Sequence, residues 1–237
     1  MKAPGNRENN LVISSGHGFT DLQTFQFHPE CFYKPYLAKS ARPLDERKTG
    51  PLAQNNNLNA IRNDWGISVF RRIESSGQLT MSTRTFEEVM ESIESGAAVV
   101  KLYSTTLADV LDDSTVEVSD QCTIMRPGPR ALLGTNSVLY TNCDQVPGNS
   151  GGPLVLEFKD GTVEVVGIIV GTVQANSTAN TILASQSEAT KIADVHSVDI
   201  EPDTETMINI AIPLIPQMQP LSMSEAFFRQ QTQRTQP

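Results

Sequence analysis

The sequence predicts an all-β protein, and three observations carry that prediction. Short β-prone runs recur along the chain, each bounded by Gly, Pro, Asn or Asp. Charged residues make up 19% of the 237, below the usual quarter, while Ser, Thr and Asn are plentiful. That balance suits strands joined by polar turns better than helices laced with ion pairs. Capping boxes open only two short helical segments. A pattern of this kind favours a sandwich or a barrel.

Residues 1–10 are polar and are expected to be flexible. Leu11-Val12-Ile13 begins the first strand, and Ser14-Ser15-Gly16-His17-Gly18-Phe19 follows it. A histidine between glycines sits on a turn, where its ring can face a cleft; alone, such a residue is more often a surface or capping histidine. Thr24–Phe32 alternates and is rich in phenylalanine, which predicts a strand, and residues 34–62, with Pro35, Pro43, Gly50, Pro51 and three consecutive asparagines, read as loop. Asn63-Asp64 then opens a strand in which Trp65, Ile67 and Val69 alternate. A carboxylate beside so apolar a segment needs a partner to be tolerated, and a histidine N–H is a suitable one.

Residues 71–83 read as a connector. Thr85-Phe86-Glu87-Glu88 is a capping box, and Phe86, Val89, Met90 and Ile93 follow at helical spacing before Gly96, so a short amphipathic helix is expected over 86–95. Strands are expected over Ala97–Tyr103, Ser114–Met125 and Ser137–Thr141, with a turn at Pro127-Gly128-Pro129. Leu154–Phe158 and Thr162–Val173 pair as a hairpin around Asp160-Gly161. Residues 174–205 are polar and are expected to be partly helical. Met207–Ile215 is a further strand, and a second capping box at Ser222-Met223-Ser224-Glu225 opens a short C-terminal helix running to about Gln231.

Composition narrows the function classes. Eighteen basic and 27 acidic residues give a formal charge of −9, which argues against nucleic acid or an anionic membrane as the main partner. The longest strongly apolar run, Val165–Val173, is far too short to span a bilayer. No signal peptide is legible in the polar first ten residues. Three cysteines, Cys31, Cys122 and Cys143, cannot all pair within one chain and lack zinc spacing, and His28-Pro29-Glu30-Cys31 has nothing convergent beside it, so no metal is expected.

The stretch with the most chemistry in it is Pro147-Gly148-Asn149-Ser150-Gly151-Gly152-Pro153. Glycines around the serine open backbone conformations closed to other residues. They can leave the hydroxyl exposed and aim N–H groups at one point. Acyl transfer needs both a nucleophile and donors for the oxyanion that forms beside it. A glycine-rich turn between strands is the plain alternative.

Taken together, Ser14-Ser15-Gly16-His17, Asn63-Asp64-Trp65-Gly66-Ile67 and Gly148-Asn149-Ser150-Gly151-Gly152-Pro153 resemble the trypsin/chymotrypsin-like serine peptidases, and their bacterial members more than the digestive ones. The three stretches fall in that family's His, Asp, Ser order, with separations of 47 and 86 residues. The resemblance runs from about Leu11 to Leu214 and implies two β-barrels packed around a cleft. Residues 1–83 would form the first, carrying His17 and Asp64; 84–96 a linker helix; 97–220 the second, carrying Ser150; and 221–237 a helix and tail. Sixteen residues precede His17, fewer than the family uses to complete its first barrel, so that barrel is expected to be incomplete.

The activity implied is that of a serine endopeptidase working through an acyl-enzyme. Ser150 would be the nucleophile, His17 the general base, Asp64 the residue that orients the histidine, and the backbone N–H groups of Gly148 and Ser150 the oxyanion hole. Asp144 stands either at the base of the primary pocket, which would select Arg or Lys, or merely in its wall. Gly167–Thr172 resembles the segment on which substrate pairs as an added strand, with Val170, Gly171 and Thr172 touching it. Thr172 stands where a glycine usually leaves the pocket open, and Val170 where a serine usually supports the aspartate. Asn149 replaces the aspartate that binds a freed N-terminus, so no activation of that kind is expected. By the same resemblance Cys122 pairs with Cys143 and Cys31 stays free. No cofactor is implied, the partner is a protein or peptide substrate, and the chain is a monomer. The family points to secretion or the periplasm, and the lack of a legible signal leaves the cytoplasm open. The alternative is a catalytically inactive module of the same fold, serving as a binding or scaffold protein. An esterase ranks lower, since the Gly-Xaa-Ser-Xaa-Gly elbow and its triad order are lacking.

Overall fold

Strands that share one apolar core organise the molecule. The computed structural model describes residues 9–20, 32–33, 42–43, 45–50, 62–71, 79–104, 117–126, 138–145, 149–175, 182–183, 191–192, 206–216, 218, 223 and 225. These residues are mostly β-structure with a short helix of nine residues, and among them no helix is long and apolar enough to cross a membrane.

A small antiparallel sheet comes from the first third of the chain. Strand β1 (Asn9–Ser15) pairs along its whole length with β5 (Trp65–Arg71), and β4 (Asp45–Thr49) lies on the other side of β5. A separate two-residue ladder joins β2 (Phe32–Tyr33) to β3 (Arg42–Pro43). The expected loop over 34–62 therefore contains strands. The sequence of β4, Asp-Glu-Arg-Lys-Thr, shows no apolar alternation, and β4 is an edge strand, where backbone pairing on one side suffices and charged residues are common. Thr24–Cys31 lies outside the described residues, as does residue 44.

The larger sheet runs β8 (Glu117–Cys122), β7 (Ala98–Ser104), β11 (Pro153–Phe158), β12 (Val163–Ala175), β15 (Thr206–Pro213), β10 (Leu139–Thr141) and β9 (Ile124–Met125). Its first and last strands are consecutive in the chain, separated only by Thr123. The sheet therefore curls round until its ends meet, giving a nearly closed barrel with no long free edge. The seam is dense with bonds: Thr123 N–H donates to Asn142 Oδ1 (2.7 Å), and the Thr141 hydroxyl donates to the Thr123 carbonyl (2.8 Å). The Cys122–Cys143 disulfide crosses it.

Strands β11, β12 and β15 are buried on both faces, which is why they read as continuous apolar runs. Leu154, Leu156, Val166, Ile169 and Ala211 point to one side, joined there by Val89 and Met90 of helix α1 (Phe86–Glu94). Val155, Val165, Ile168, Val170, Ile210 and Ile212 point to the other, where they meet Trp65 and Ile67 of the small sheet. The helix starts at the expected capping box: Glu88 N–H donates to Thr85 Oγ1 (3.2 Å) and Thr85 N–H to Glu88 Oε2 (2.7 Å).

The 71–83 connector contains β6 (Thr80–Met81), which pairs parallel to β12. Within 174–205 the described residues are extended, β13 (Ile182–Leu183) pairing with β14 (Lys191–Ile192) and with β12; the rest of that span, with the helical part expected there, lies outside the described residues. A two-residue ladder is set by the edge it docks on, and so leaves no periodicity to read. At the C-terminus Met223 and Glu225 are helical.

Candidate active site

The register of the small sheet delivers one half of the site. Ser15 pairs with Trp65, so the residues just after β1 and just before β5 lie side by side. Gly16 N–H donates to the Asp64 carbonyl (2.9 Å), which brings His17 against Asp64 across 47 residues of sequence. Glycine is needed at 16 because a Cβ there would come within 2.9 Å of the Trp65 carbonyl and 3.1 Å of Asp64 Oδ1. His17 then bonds Asp64 twice: its backbone N–H donates to Oδ1 (2.7 Å), and Nδ1 lies 2.5 Å from Oδ2. With a carboxylate at Nδ1, that nitrogen carries the proton and the neutral ring presents its lone pair at Nε2.

Both side chains are largely shielded, at 8% exposure for His17 and 14% for Asp64. Burial is the largest influence on His17 and by itself would lower its pKa. The Asp64 charge and the hydrogen bond to it together outweigh burial, and the pKa ends above the ordinary 6.5. Nε2 is buried and has no hydrogen-bond partner among the described residues. It is therefore poised to take a proton from a group that approaches it.

The other half lies on the barrel. Asn149, Ser150, Gly151 and Gly152 form a β-turn closed by Gly152 N–H donating to the Asn149 carbonyl (2.9 Å). Gly151 has φ +92°, the left-handed third position that a type II turn requires and that glycine adopts without strain. Two backbone bonds stitch the turn to β12: Gly151 N–H to the Ile169 carbonyl (2.7 Å), and Ile169 N–H to the Gly152 carbonyl (3.0 Å). Gly151 also packs directly on the end of β1. A Cβ on it would overlap Ser14 Oγ and lie 3.3 Å from Ser15 N. The turn carrying Ser150 thus rests on the strand end that presents His17 two residues later. Gly148 lies outside the described residues.

The remaining expected site residues divide. Cys122 and Cys143 are bridged. Asp144 is exposed, its N–H donating to Ser119 Oγ (3.1 Å), so its carboxylate is not the buried floor of a closed pocket. The Val170 side chain is in the apolar cluster with Trp65 and Ile67, so only its backbone can meet a substrate. Gly171 is buried in the strand. Thr172 is paired on both edges, with Asn209 of β15 and with Leu183 of β13, which removes its backbone from the role of receiving an added strand.

Three features escape sequence reading. The His17 backbone N–H supports Asp64, the support that Val170 cannot give. Asn209, a lone buried amide in an apolar strand, donates from Nδ2 to the Cys143 carbonyl and so anchors the loop that leads to Asp144. Its signal was the polar interruption of Met207–Ile212. Gln145, five residues before Ser150, keeps both amide atoms buried with no partner among the described residues. Among those residues no three His, Cys, Asp or Glu converge as a metal site would need. The chain matches no protein-family model and no curated protein.

Proposed function

We propose that the protein is a serine endopeptidase that hydrolyses peptide bonds through an acyl-enzyme, on a two-barrel scaffold. The observation that carries this reading is the largely buried His17–Asp64 pair, whose Nε2 has no partner among the described residues, on the strand end against which the Ser150 turn packs.

Ser150 Oγ attacks the scissile carbonyl carbon as His17 Nε2 takes the hydroxyl proton. The tetrahedral oxyanion is met by the backbone N–H groups of Gly148 and Ser150, each such donor contributing roughly 3–4 kcal/mol to the transition state. Collapse breaks the C–N bond, and the imidazolium returns its proton to the departing amine. A water molecule, deprotonated by the same Nε2, then hydrolyses the ester and restores Ser150. Asp64 keeps the ring in the required tautomer and stabilises the imidazolium. The upward shift of His17 is what a base facing a carboxylate should show. The Cys122–Cys143 bridge supports an oxidising compartment, outside the cell or in a periplasm.

A fluorophosphonate probe tests the reading. Wild type is expected to be labelled and Ser150→Ala is not. Well-folded wild type that takes no label would leave the chain a binding module of the same fold. Specificity is read from a library varied at the residue before the scissile bond, run on wild type, Asp144→Ala and Gln145→Ala. An unchanged profile in Asp144→Ala removes that carboxylate as a selector of basic side chains.

A further inference from the structure

A strand can be paired on two edges, and the edges of β12 are occupied in a telling sequence. One edge belongs to β15 from Gly167 to Ala175, interrupted only by a bulge at Val170. The opposite edge belongs to β11 as far as Ile168, which pairs with Pro153. Next, the Ser150 turn takes Ile169 through its two backbone bonds. Three residues beyond Ile169, β13 takes Thr172 and Val173 through Leu183 and Ile182. Because Thr172 already faces Asn209 across the β15 edge, β13 must lie on the edge that carries the serine turn. Among the described residues, Val170 and Gly171, which lie between the serine turn and β13, are left without a strand partner on that edge. At 3.3 Å per residue that window is about 7 Å long.

A peptide that reaches Ser150 and extends along β12 would add as a strand to this edge, with main-chain hydrogen bonds supplying affinity. We infer that β13 is a built-in strand in the place a longer substrate would take. The site then accepts peptides that pair with β12 for two residues from the scissile bond, whether short or turning away after them. The inference rests on the peptidase reading and narrows its substrate class.

Ala175 of β12 and Thr206 of β15 face each other as partners. A tight turn between them would join the two strands as a plain hairpin, and Asn-Gly supplies such a turn.

The experiment compares wild type, a variant with 176–205 replaced by Asn-Gly, and Leu183→Pro, which removes a backbone donor from β13 and leaves the barrel sequence intact. Substrates are peptides lengthened from one to five residues, separately on each side of the scissile bond. In wild type kcat/KM is expected to level off after two residues on one side. In both variants it should keep rising on that side, by roughly tenfold at four residues, since each added main-chain bond contributes about fivefold. A wild-type rate that climbs past two residues on both sides, or a plateau that both folded variants retain, overturns the inference. A second readout needs no catalysis: Thr172→Cys with Leu183→Cys, in a Cys31→Ser background, should crosslink spontaneously, because paired strand residues lie within disulfide reach. Failure to crosslink overturns the seating of β13. If no form shows Ser150-dependent turnover, the peptidase reading falls, and the crosslink alone decides where β13 sits.

Discussion

The barrel and the small sheet hold themselves together in different ways. The barrel has a core of its own, in which Leu154, Leu156, Ile169 and Ala211 meet Val89 and Met90 of the helix, and among the described residues that cluster takes nothing from the small sheet. The barrel also nearly closes on itself at Thr123, where a disulfide crosses the seam. The small sheet's fully buried apolar residues Trp65 and Ile67 lie in a cluster made mainly of barrel residues, Val155, Ile168, Val170, Ile210 and Ile212. It leans on the barrel. The division matters because the candidate triad is split along it: His17 and Asp64 belong to the leaning part and Ser150 to the self-supporting one. The relation between His17 and Ser150 is therefore set by the shared cluster and by the contact of Gly151 with Ser14 and Ser15.

The largest expected effect lies wholly inside the small sheet. Asp64→Asn keeps the shape but forfeits the tautomer control, and kcat/KM should fall about 10⁴-fold. The pH profile separates this from mere misfolding. The base must be neutral, so activity is lost as pH falls through the His17 pKa. In wild type that limb should lie above 6.5. Without the Asp64 charge only burial remains, which lowers the pKa, so the residual activity of Asp64→Asn should show its limb below 6.5. Stability carries the opposite sign. A raised folded pKa means that protonated His17 stabilises the fold, fully below 6.5, and that this contribution disappears as pH rises through the folded value. Thermal melts of wild type against His17→Gln from pH 5 to 9 should show the difference shrinking upward.

A pair of core truncations tests the leaning directly. Leu156→Ala opens a cavity in the barrel's own cluster and should cost about 2–5 kcal/mol in denaturant unfolding, with kcat/KM of the folded protein unchanged. Trp65→Ala empties the shared cluster next to Asp64 and should cost a similar 3–5 kcal/mol. It should in addition lower kcat/KM by about a hundredfold, because an ångström of drift between base and nucleophile is enough to do so. Equal activity losses in the two variants would dissolve the distinction between the regions.

How much of this was legible in the sequence follows the same line. β11, β12 and β15 are buried on both faces, so their apolar runs announce them. The helix announces itself by Thr85 and Glu88. The stretches around His17, Asp64 and Ser150 were joined in the sequence only by a family resemblance; the structure bonds His17 to Asp64 and packs the turn of Ser150 on the end of β1. What could not be read depends on register. β4 is a charged edge recognised by β5, and β13 is a two-residue strand recognised by β12 and β14. Asp144 turned out exposed, and Thr172 is used on both edges. Both facts belong to neighbours far away in sequence, such as Asn209 and Leu183. The support of Asp64 by the His17 backbone is likewise invisible to any pattern, since every residue has an N–H.

The disulfide gives the next smaller effect. Cys122 and Cys143 close a loop of 21 residues at the seam where the barrel's ends meet. Replacing both by serine should destabilise by about 3 kcal/mol, as expected for a loop of that length. Cys143 also holds the carbonyl that Asn209 grips, just before Asp144. The double variant should therefore alter preference at the residue before the scissile bond more than it alters the acidic limb, which is governed from the small sheet.

The smallest effect is also the strictest control. Thr85→Ala removes the hydroxyl that accepts the Glu88 N–H at the head of the helix, a loss of about 1 kcal/mol for caps of this kind. The helix contributes Val89 and Met90 only to the barrel's private cluster, so fraying at its start has no packed route to Trp65, Asp64 or His17. Unfolding should shift to slightly lower denaturant, while the acidic limb, the fluorophosphonate labelling rate and kcat/KM stay where they were. An acidic limb that moved with Thr85→Ala would mean that the two regions share more than the one cluster between them, and the split of the triad would lose its meaning.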